Sequence, residues 1–362
     1  MAVGVSQNLS ELTINSSFGA YQIKFQSISE ELSENAFFLI DNNLKGSLDL
    51  NNDKSIYVEA IEKNKTLNTV ENAMIQLSEK GMTKKNELVV IGGGYLQDIG
   101  TLVASLYMRG IDWTYVPTTL AAMGDSCIGG KSSINAGHVK NLVGNFYPPK
   151  QVLIDTSFVS TLPKLEVVAG ISEIIKICFA RSNETFTKCT ELISDWQEHS
   201  NPKVLTEVIQ LSLESKKYFV EEDEFDAGIR KMLNFGHSFG HALESASDYK
   251  IPHGVAVLIG MIAASQHRLS VVTVETQILI TSCLTFCKVI GGEITTEVSD
   301  LDFERFSNAL SKDKKNTSSD LVLILPSKIG LEVISIPFDK DALEDATIAM
   351  KAGIEMVLNE IR

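Results

Sequence analysis

Three histidines have the residue type and spacing of a metal site. His237 and His241 are four residues apart, so on a helix they share one face. His253 follows a short loop and begins a second apolar helix. Arg230 and Asn234 lie about two turns and one turn before His237. Converging imidazole, amide and guanidinium groups are typical of a metal site joined to an anion site. The structural alternative is two buried helices with satisfied histidines.

A carboxylate completes such a metal site. Glu173 and Lys176 share one face of a predicted apolar helix, where a charged pair costs free energy unless it has a partner. Glu173, His237 and His253 would give three protein ligands and an open position, which is the arrangement that catalytic zinc prefers. His241 could instead carry a proton or donate a hydrogen bond to a substrate.

The N-terminal half contains a glycine turn between a strand and a helix. The apolar strand ELVVI runs directly into Gly92, Gly93 and Gly94, and a helix is predicted to follow. This order lets a backbone approach a phosphate and direct helix N–H groups at it. It departs from the standard dinucleotide fingerprint, so a tight βα turn is the alternative. The strand WTYVP then ends at Thr118 and Thr119, at the sheet edge where ligands gather.

Residues 124–150 form a stretch rich in glycine, serine and lysine. It is too long to be a simple linker. Lys131, Lys140 and Asn141 lie within it, which favours a functional loop that handles phosphate or carboxylate over a structural one.

Composition limits the classes of partner. The net charge of −14 argues against nucleic acid or an anionic membrane surface as a bulk partner, while leaving room for a local basic pocket that binds a small anionic substrate. No run of apolar residues is long enough for a membrane span, and no signal peptide is evident. Five cysteines without zinc spacing fit a reducing cytoplasm.

The pattern of predicted secondary structure changes near Pro163. Strands and helices alternate before it, and helices dominate after it, with one strand-like segment at 321–326. The pattern predicts an α/β nucleotide-binding domain over 1–163 and an all-α metal- and substrate-binding domain over 164–362, with the active site in the cleft between them. The helices predicted in the second half span 165–180, 183–199, 202–222, 228–247, 254–270, 274–291, 303–311 and 340–361.

Eight motifs resemble those of the sugar-phosphate cyclases, and most closely those of the 3-dehydroquinate synthase family. In chain order they are GGGYLQDIG, YMRGIDWTYVPTTL, GDSCIGGKSSIN, KNLVGNFYPPK, AGISEIIK, RKMLNFGHSFGHALE, PHGVAVLIGM and DKKN. The resemblance implies a lyase that depends on NAD and on a divalent metal, zinc or cobalt. It implies 3-deoxy-D-arabino-heptulosonate 7-phosphate as substrate, transient oxidation, elimination of phosphate, re-reduction and an aldol ring closure. It also implies a homodimer.

The resemblance assigns roles to particular residues. It assigns the metal to Glu173, His237 and His253. It assigns substrate contacts or catalytic roles to Arg109, Lys131, Lys140, Asn141, Lys176, Lys216, Asp226, Arg230, Asn234, His241 and Lys315. It assigns NAD contacts to Asp41, Glu62, Lys65, Gly93, Gly94, Asp98, Thr118, Thr119 and Asp125. In this assignment Arg230 grips a substrate carboxylate, and Glu62 and Asp41 suit ribose hydroxyls.

Several positions depart from the family pattern. Asp226 stands where glutamate is usual, Gln97 replaces a glycine in the loop beside the cofactor, and Val255 replaces a glutamate next to a metal ligand. These departures keep a second hypothesis open, a cyclase with a modified substrate such as sedoheptulose 7-phosphate, which gives a valiolone-type cyclitol. A third hypothesis is an iron-type alcohol dehydrogenase of related fold, which would release NADH. The intact ligand set argues against a fourth, a non-catalytic paralogue.

Overall fold

The computed structural model describes residues 11–28, 33, 35–137, 139–313 and 316–362. The chain divides into two compact units, Met1–Thr161 with Asn201–Phe225, and Leu162–Ser200 with Asp226–Arg362. This division differs from the predicted single boundary, because helix α5 (Pro202–Glu222) belongs to the first unit. The reason is a set of polar contacts: Ser212 Oγ donates to Gly124 O at 2.7 Å, and Lys216 Nζ donates to Asp125 O at 2.7 Å.

A seven-stranded sheet lies at the centre of the described part of the first unit. The strands are β1 (Glu11–Ile14), β2 (Tyr21–Phe25), β3 (Phe37–Asp41), β4 (Ser55–Val58), β5 (Leu88–Gly92), β6 (Trp113–Pro117) and β9 (Gln151–Ile154). Their order in the sheet is β1-β2-β9-β6-β5-β3-β4, and every neighbouring pair is parallel except β1 with β2. The apolar runs ELVVI and WTYVP, predicted as strands, form β5 and β6, because a central parallel strand is buried on both faces.

The same unit contains helices α1 (Leu67–Glu79) and α2 (Gly94–Leu106). The stretch 124–150, predicted to be a functional loop, includes a small antiparallel hairpin of β7 (Ile134–Ala136) and β8 (Val139–Val143). A π-helical turn, Ala122–Ser126, precedes the hairpin. The stretch therefore has regular structure of its own.

The described residues of the second unit form helices and one hairpin. Its helices are α3 (Lys164–Arg181), α4 (Asn183–His199), α6 (His237–Ala246), α7 (His253–Gln266), α8 (Val274–Val289), α9 (Gly291–Ser299), α10 (Phe303–Ser311) and α11 (Lys340–Ile361). The predicted strand at 321–326 is confirmed as β10 (Asp320–Ser327), and it pairs with a strand that the prediction missed, β11 (Gly330–Pro337). The expected helical second domain is confirmed, and this hairpin accompanies its helices. β11 is mostly exposed, so it lacks the apolar run that reveals a buried strand.

The helix predicted over 228–247 is wrong in one respect, because it is broken before His237. Ile229–Asn234 is a 3₁₀ segment, and α6 begins only after Phe235 (ψ 133°) and Gly236 (φ 77°). A Cβ on Gly236 would lie 2.8 Å from Val257 O, so only glycine fits this left-handed position against α7. Arg230 and Asn234 therefore do not share a continuous helix face with His237.

None of the described helices is by itself long and apolar enough to cross a membrane. Helices α8 and α9 meet that length and composition only as a pair, which is bent by 103° at its break.

The imidazole of His267, directly after α7, is a buried polar group. Its Nδ1 lies 3.3 Å from the Leu269 N–H and accepts from it, so Nε2 carries the ring hydrogen, and no group in the described part of the chain bonds to that atom. Burial lowers the pKa of His267 from its ordinary value of 6.5, Asp345 opposes this shift, and Arg268 adds to it. The folded protein therefore holds this ring neutral.

A pH dependence of stability follows from His267. The His267 ring binds fewer protons in the folded state than in the unfolded state. Above pH 6.5 the ring is neutral in both states and does not change the stability of the fold. As the pH falls below 6.5, protonation of the ring in the unfolded state destabilises the fold increasingly. We expect the thermal unfolding midpoint to fall more steeply between pH of about 7 and about 5 in the unaltered protein than in His267→Gln, which does not titrate. Parallel pH curves for the two proteins would contradict this assignment.

Candidate active site

Three imidazoles converge at the starts of two helices in the second unit. His237 is the first residue of α6, His241 lies one turn later, and His253 is the first residue of α7. The ring centroids are 5.2–5.4 Å apart, and one ligand atom from each ring lies within 4.8 Å of the others. His237 and His241 share one face of α6, as their spacing predicts, and His253 joins the same cluster. Such a set could hold a divalent metal.

Hydrogen bonds fix which nitrogen two of these rings present. Nδ1 of His237 lies 3.2 Å from the Phe235 carbonyl oxygen, which can only accept, so this Nδ1 carries the hydrogen. Nδ1 of His253 lies 3.0 Å from Glu244 Oε2 and donates to it. Both rings therefore present an Nε2 lone pair, which is the arrangement of metal-bound histidines that are oriented by an outer partner. Sequence reasoning missed Glu244, although its place seven residues after His237 puts it on the same face of α6.

A buried carboxylate faces this cluster from α3. Glu173 is 4% exposed, and its Oε1 lies 3.5 Å from His253 Nε2 and has no hydrogen-bond partner among the described residues. Its Oε2 pairs with the Lys176 ammonium group, which is also buried. A buried carboxylate oxygen without a hydrogen bond is costly, and a cation held by the imidazoles would remove that cost. The donors present therefore fit a divalent metal.

Close backbone packing places Glu173 beside His253. A Cβ on Gly254 would lie 2.3 Å from the Ala169 carbonyl oxygen, so α7 meets α3 without any side chain between them. Ser172 Oγ lies 2.5 Å from Gly254 O and 2.8 Å from Ala169 O, so it bridges the two helices. Ser172 and Gly254 adjoin Glu173 and His253 in the sequence, so this helix contact sets the distance between two of the predicted metal ligands.

The charge of His253 depends on its neighbours. Partial desolvation favours the neutral ring, but the hydrogen bond and negative charge of Glu244, together with the charge of Glu173, raise the pKa of His253 above its ordinary value, while Lys176 opposes this shift.

Glu244 is expected to set metal affinity through His253. Glu244→Ala should weaken zinc binding by roughly 10- to 100-fold, because the ring loses the acceptor that orients it. Glu244→Gln keeps an oxygen that can accept from Nδ1 and should recover most of that affinity. Competition with a chromophoric chelator measures both variants. Equal losses in the two variants would show that the carboxylate acts through its charge and not by orienting the ring.

The glycine turn of the first unit has the predicted order of strand, glycines and helix. Gly93 precedes α2, and Gly94 begins it. A Cβ on Gly93 would lie 2.9 Å from Thr119 Cγ2, and the Thr118 N–H donates to Gly92 O at 3.1 Å. The turn and the two threonines thus adjoin at the ends of β5 and β6, where the N–H groups of α2 can meet a phosphate.

Gln97 lies in the first turn of α2 and not in a loop, which corrects the expectation for this position. Its Nε2 donates to Ser126 O at 2.7 Å, and its Oε1 accepts from Ser126 Oγ at 2.6 Å. A glycine here would lose both bonds, so Gln97 ties the glycine turn to the π-helical turn.

Two acidic residues that are predicted to contact NAD, Asp98 and Asp41, have different hydrogen-bond partners. Asp98 pairs with buried Lys65 at 2.7 Å and accepts from the Ser133 N–H at 2.9 Å. Burial nevertheless raises the pKa of Asp98 above its ordinary value. Asp41 ends β3 and accepts from the Asn43 N–H at 3.0 Å, and burial also raises the pKa of Asp41.

Glu62 lies beside the hairpin β7–β8. Its Oε1 accepts from Asn135 Nδ2 at 2.8 Å and lies 3.4 Å from Lys140 Nζ. Burial alone would raise the pKa of Glu62, but Asn135, Lys140 and Lys65 outweigh it and lower that pKa. Asn141 has φ +51°, and its N–H donates to Asn135 Oδ1 at 2.9 Å. Asn135 is a second residue that sequence reasoning missed.

The remaining predicted residues occupy varied places. Lys216 of α5 pairs with Asp125 at 2.5 Å. Lys131 is exposed, with Nζ 6.0 Å from the Phe146 ring centroid. Arg109 is exposed with φ +65°. In the second unit, Arg230 is buried, Asn234 Nδ2 donates to Lys231 O at 3.3 Å, and Asp226 has φ +60°. Lys315 lies outside the described residues.

Sets of predicted residues thus come together within each unit. In the second unit these are Glu173, Lys176, His237, His241 and His253. In the first unit, Glu62, Lys65, Asp98, Lys140 and Asn141 are joined through Asn135 and Ser133. The assignments of ligand, substrate and cofactor roles stay predictions.

Two solved structures have the same fold as this chain. A 2-epi-5-epi-valiolone synthase from Streptomyces hygroscopicus subsp. jinggangensis 5008, with NAD⁺ and Zn²⁺ bound, has a TM-score of 0.76 at 20% identity, covering 98% of this chain and 99% of that one. A 2-deoxy-scyllo-inosose synthase complexed with carbaglucose-6-phosphate, NAD⁺ and Co²⁺ has a TM-score of 0.72 at 20% identity, covering 94% and 99%.

Sequence comparison identifies the family, whereas the solved structures show the fold alone. The 3-dehydroquinate synthase from Campylobacter jejuni subsp. jejuni is 32% identical over 337 residues, which is 89% of this chain and 94% of that protein. The family model for the 3-dehydroquinate synthase N-terminal domain matches residues 55–169, and the model for the C-terminal domain matches residues 170–316. The chain therefore belongs to the 3-dehydroquinate synthase family.

Proposed function

We propose that the protein is a 3-dehydroquinate synthase that converts 3-deoxy-D-arabino-heptulosonate 7-phosphate into 3-dehydroquinate and phosphate. Family membership supports the class of reaction. The observation that carries the proposal is the cluster of His237, His241 and His253, in which His253 Nε2 lies 3.5 Å from Glu173 Oε1, with Lys176 paired to Glu173. This is a donor set for a divalent metal with a cation held next to it.

Two groups from outside the chain complete the proposed chemistry. Glu173, His237 and His253 would hold zinc or cobalt, and the chemistry that such an ion supplies is polarisation of neighbouring substrate oxygens. The glycine turn, Glu62 and the threonines after β6 would hold NAD⁺, whose chemistry is removal of a hydride from a carbinol and its return within the same turnover.

The side chains of the protein have distinct parts in this proposal. His241 adjoins the ligand histidines with an exposed imidazole, a group that can move a proton near neutral pH. The Lys176 ammonium group, fixed by Glu173, offsets negative charge that develops on the substrate. Lys140 and Asn141, at the β7–β8 hairpin, provide a cation and an amide for an anionic group. The homodimer and the cytoplasmic location implied by the resemblance stay predictions.

A cyclase with a modified substrate is the second candidate. The observation in its favour is Asp226, which is shorter than the usual glutamate and has φ +60°, a backbone conformation that non-glycine residues seldom adopt. A different reach of this carboxylate would meet a different sugar hydroxyl.

Purified protein with NAD⁺ and zinc or cobalt separates these functions when it is offered each heptulose phosphate in turn. Release of phosphate from the carboxylated sugar without net NADH would support the proposal. Release from sedoheptulose 7-phosphate alone would favour the second candidate. Net accumulation of NADH would indicate an alcohol dehydrogenase instead.

Arg230 is expected to recognise the substrate carboxylate. Its guanidinium can donate two parallel hydrogen bonds, so Arg230→Ala should raise the KM for the carboxylated sugar by about 10- to 100-fold and leave the Kd of NAD⁺ unchanged. Lys231→Ala removes the adjacent exposed cation and is the matched control. An equal loss of NAD⁺ and sugar binding in Arg230→Ala would contradict this role.

A further inference from the structure

One asparagine joins the cofactor side of the first unit to the hairpin β7–β8. The Asn135 side chain donates from Nδ2 to Glu62 Oε1 at 2.8 Å and to Glu62 O at 3.3 Å. Its Oδ1 accepts from the Asn141 N–H at 2.9 Å, and its own N–H donates to Lys65 O at 2.8 Å. The amide nitrogen of Asn135 therefore binds Glu62, and its amide oxygen binds the hairpin at Asn141.

The Asn141 end of this link holds a strained backbone. A non-glycine residue at φ +51° is uncommon and persists only where its surroundings fix it. The bond from the Asn141 N–H to Asn135 Oδ1 fixes it from the backbone, and Ser133 Oγ, which donates to Asn141 Oδ1 at 3.0 Å, fixes it from the side chain. Lys140 directly precedes this residue, so the same bonds set where its side chain begins.

The Glu62 end of the link is shared with Lys140. Glu62 Oε1 accepts from Asn135 and lies 3.4 Å from Lys140 Nζ, so two donors meet at one carboxylate oxygen. A ribose hydroxyl that donates to Glu62 would compete with Lys140 for this carboxylate. Lys140 would then be available to an anion, while Asn135 keeps the hairpin in place.

We propose that Asn135 is a positioning residue that couples cofactor binding at Glu62 to anion binding at Lys140 and Asn141. This rests on the proposed function, because it takes Glu62 as a ribose contact and Lys140 as a phosphate contact. Coupling between two ligands is reciprocal, so bound phosphate must strengthen NAD⁺ binding by the same factor as NAD⁺ strengthens phosphate binding.

Calorimetry on the full-length protein tests the proposal, with inorganic phosphate as the probe of the anion site. The Kd of NAD⁺ is measured with and without saturating phosphate. In the unaltered protein phosphate should lower this Kd by at least about 5-fold. In Asn135→Ala the ratio should fall to about 1, because both ends of the link are lost. Asn135→Asp keeps an acceptor for the Asn141 N–H but faces Glu62 with a carboxylate, and it should lose the coupling as well.

The matched control is Asn64→Ala. Asn64 lies in the same turn as Glu62, but its side chain donates to Glu59 and not to the hairpin. This variant should keep the full coupling and an unfolding midpoint similar to that of Asn135→Ala.

Distinct outcomes would overturn the proposal. Coupling that survives in Asn135→Ala or Asn135→Asp, or that is lost equally in Asn64→Ala, would show that Asn135 does not carry it. NAD⁺ binding without any effect of phosphate in the unaltered protein would refute the coupling alone. No NAD⁺ binding at all would contradict the proposed function, and this inference with it.

Discussion

Replacement of His237 by alanine is expected to abolish metal retention, whereas the same replacement of His241 leaves the metal bound. The Nδ1 of His237 donates to the Phe235 carbonyl, which directs its Nε2 lone pair outward as a ligand. Loss of one of three protein ligands should weaken zinc binding on the order of 1,000-fold, about 4 kcal/mol. Metal content after gel filtration and competition with a chromophoric chelator measure the effect.

The two histidines form a matched pair for this test. They lie one turn apart on α6, and both belong to the cluster whose ligand atoms lie within 4.8 Å of one another. In the proposed arrangement His241→Ala loses turnover but keeps its zinc, because His241 moves a proton and does not bind the metal. Equal metal loss in both variants would instead indicate a three-histidine site, with Glu173 as an outer charge.

Gly254→Ala is expected to damage both the fold and the metal site. Its Cβ would lie 2.3 Å from Ala169 O, so α7 must move away from α3 by about 1 Å to reach ordinary contact. Overpacking of this kind costs about 1–3 kcal/mol. The same movement separates His253 from Glu173, so zinc affinity should fall as well. Thermal unfolding and zinc titration of the same preparations measure the two effects.

Gly292→Ala is the control for Gly254→Ala. Gly254 is the second residue of α7, and Gly292 is the second residue of α9. No atom lies within 4 Å of a Cβ built on Gly292, so alanine there should be neutral or stabilise by up to about 1 kcal/mol through helix propensity. If Gly254→Ala matched this control in stability and zinc affinity, the close approach of α3 and α7 would not position the site.

The sequence predictions were right where apolar residues recur with a strong period or form a buried run. The central strands of the first unit and the helices α3, α4 and α5 lie where the apolar spacing placed them, because burial dictates residue type at each turn. The predictions were wrong where backbone geometry and not side-chain type decides. The break at Gly236 separates Arg230 from the helix of His237, and β11 is too exposed to have a buried strand's pattern.

The sequence by itself determined the family and the fold of the first unit, and it predicted a set of metal ligands, because these depend on local motifs and on residue chemistry. Only the tertiary structure decided which groups meet. Glu244 and Asn135 form hydrogen bonds with partners 9 and 73 residues away, and no local spacing reveals such contacts. The approach of Gly254 to Ala169, which brings Glu173 to His253, likewise depends on how two helices pack and not on either helix alone.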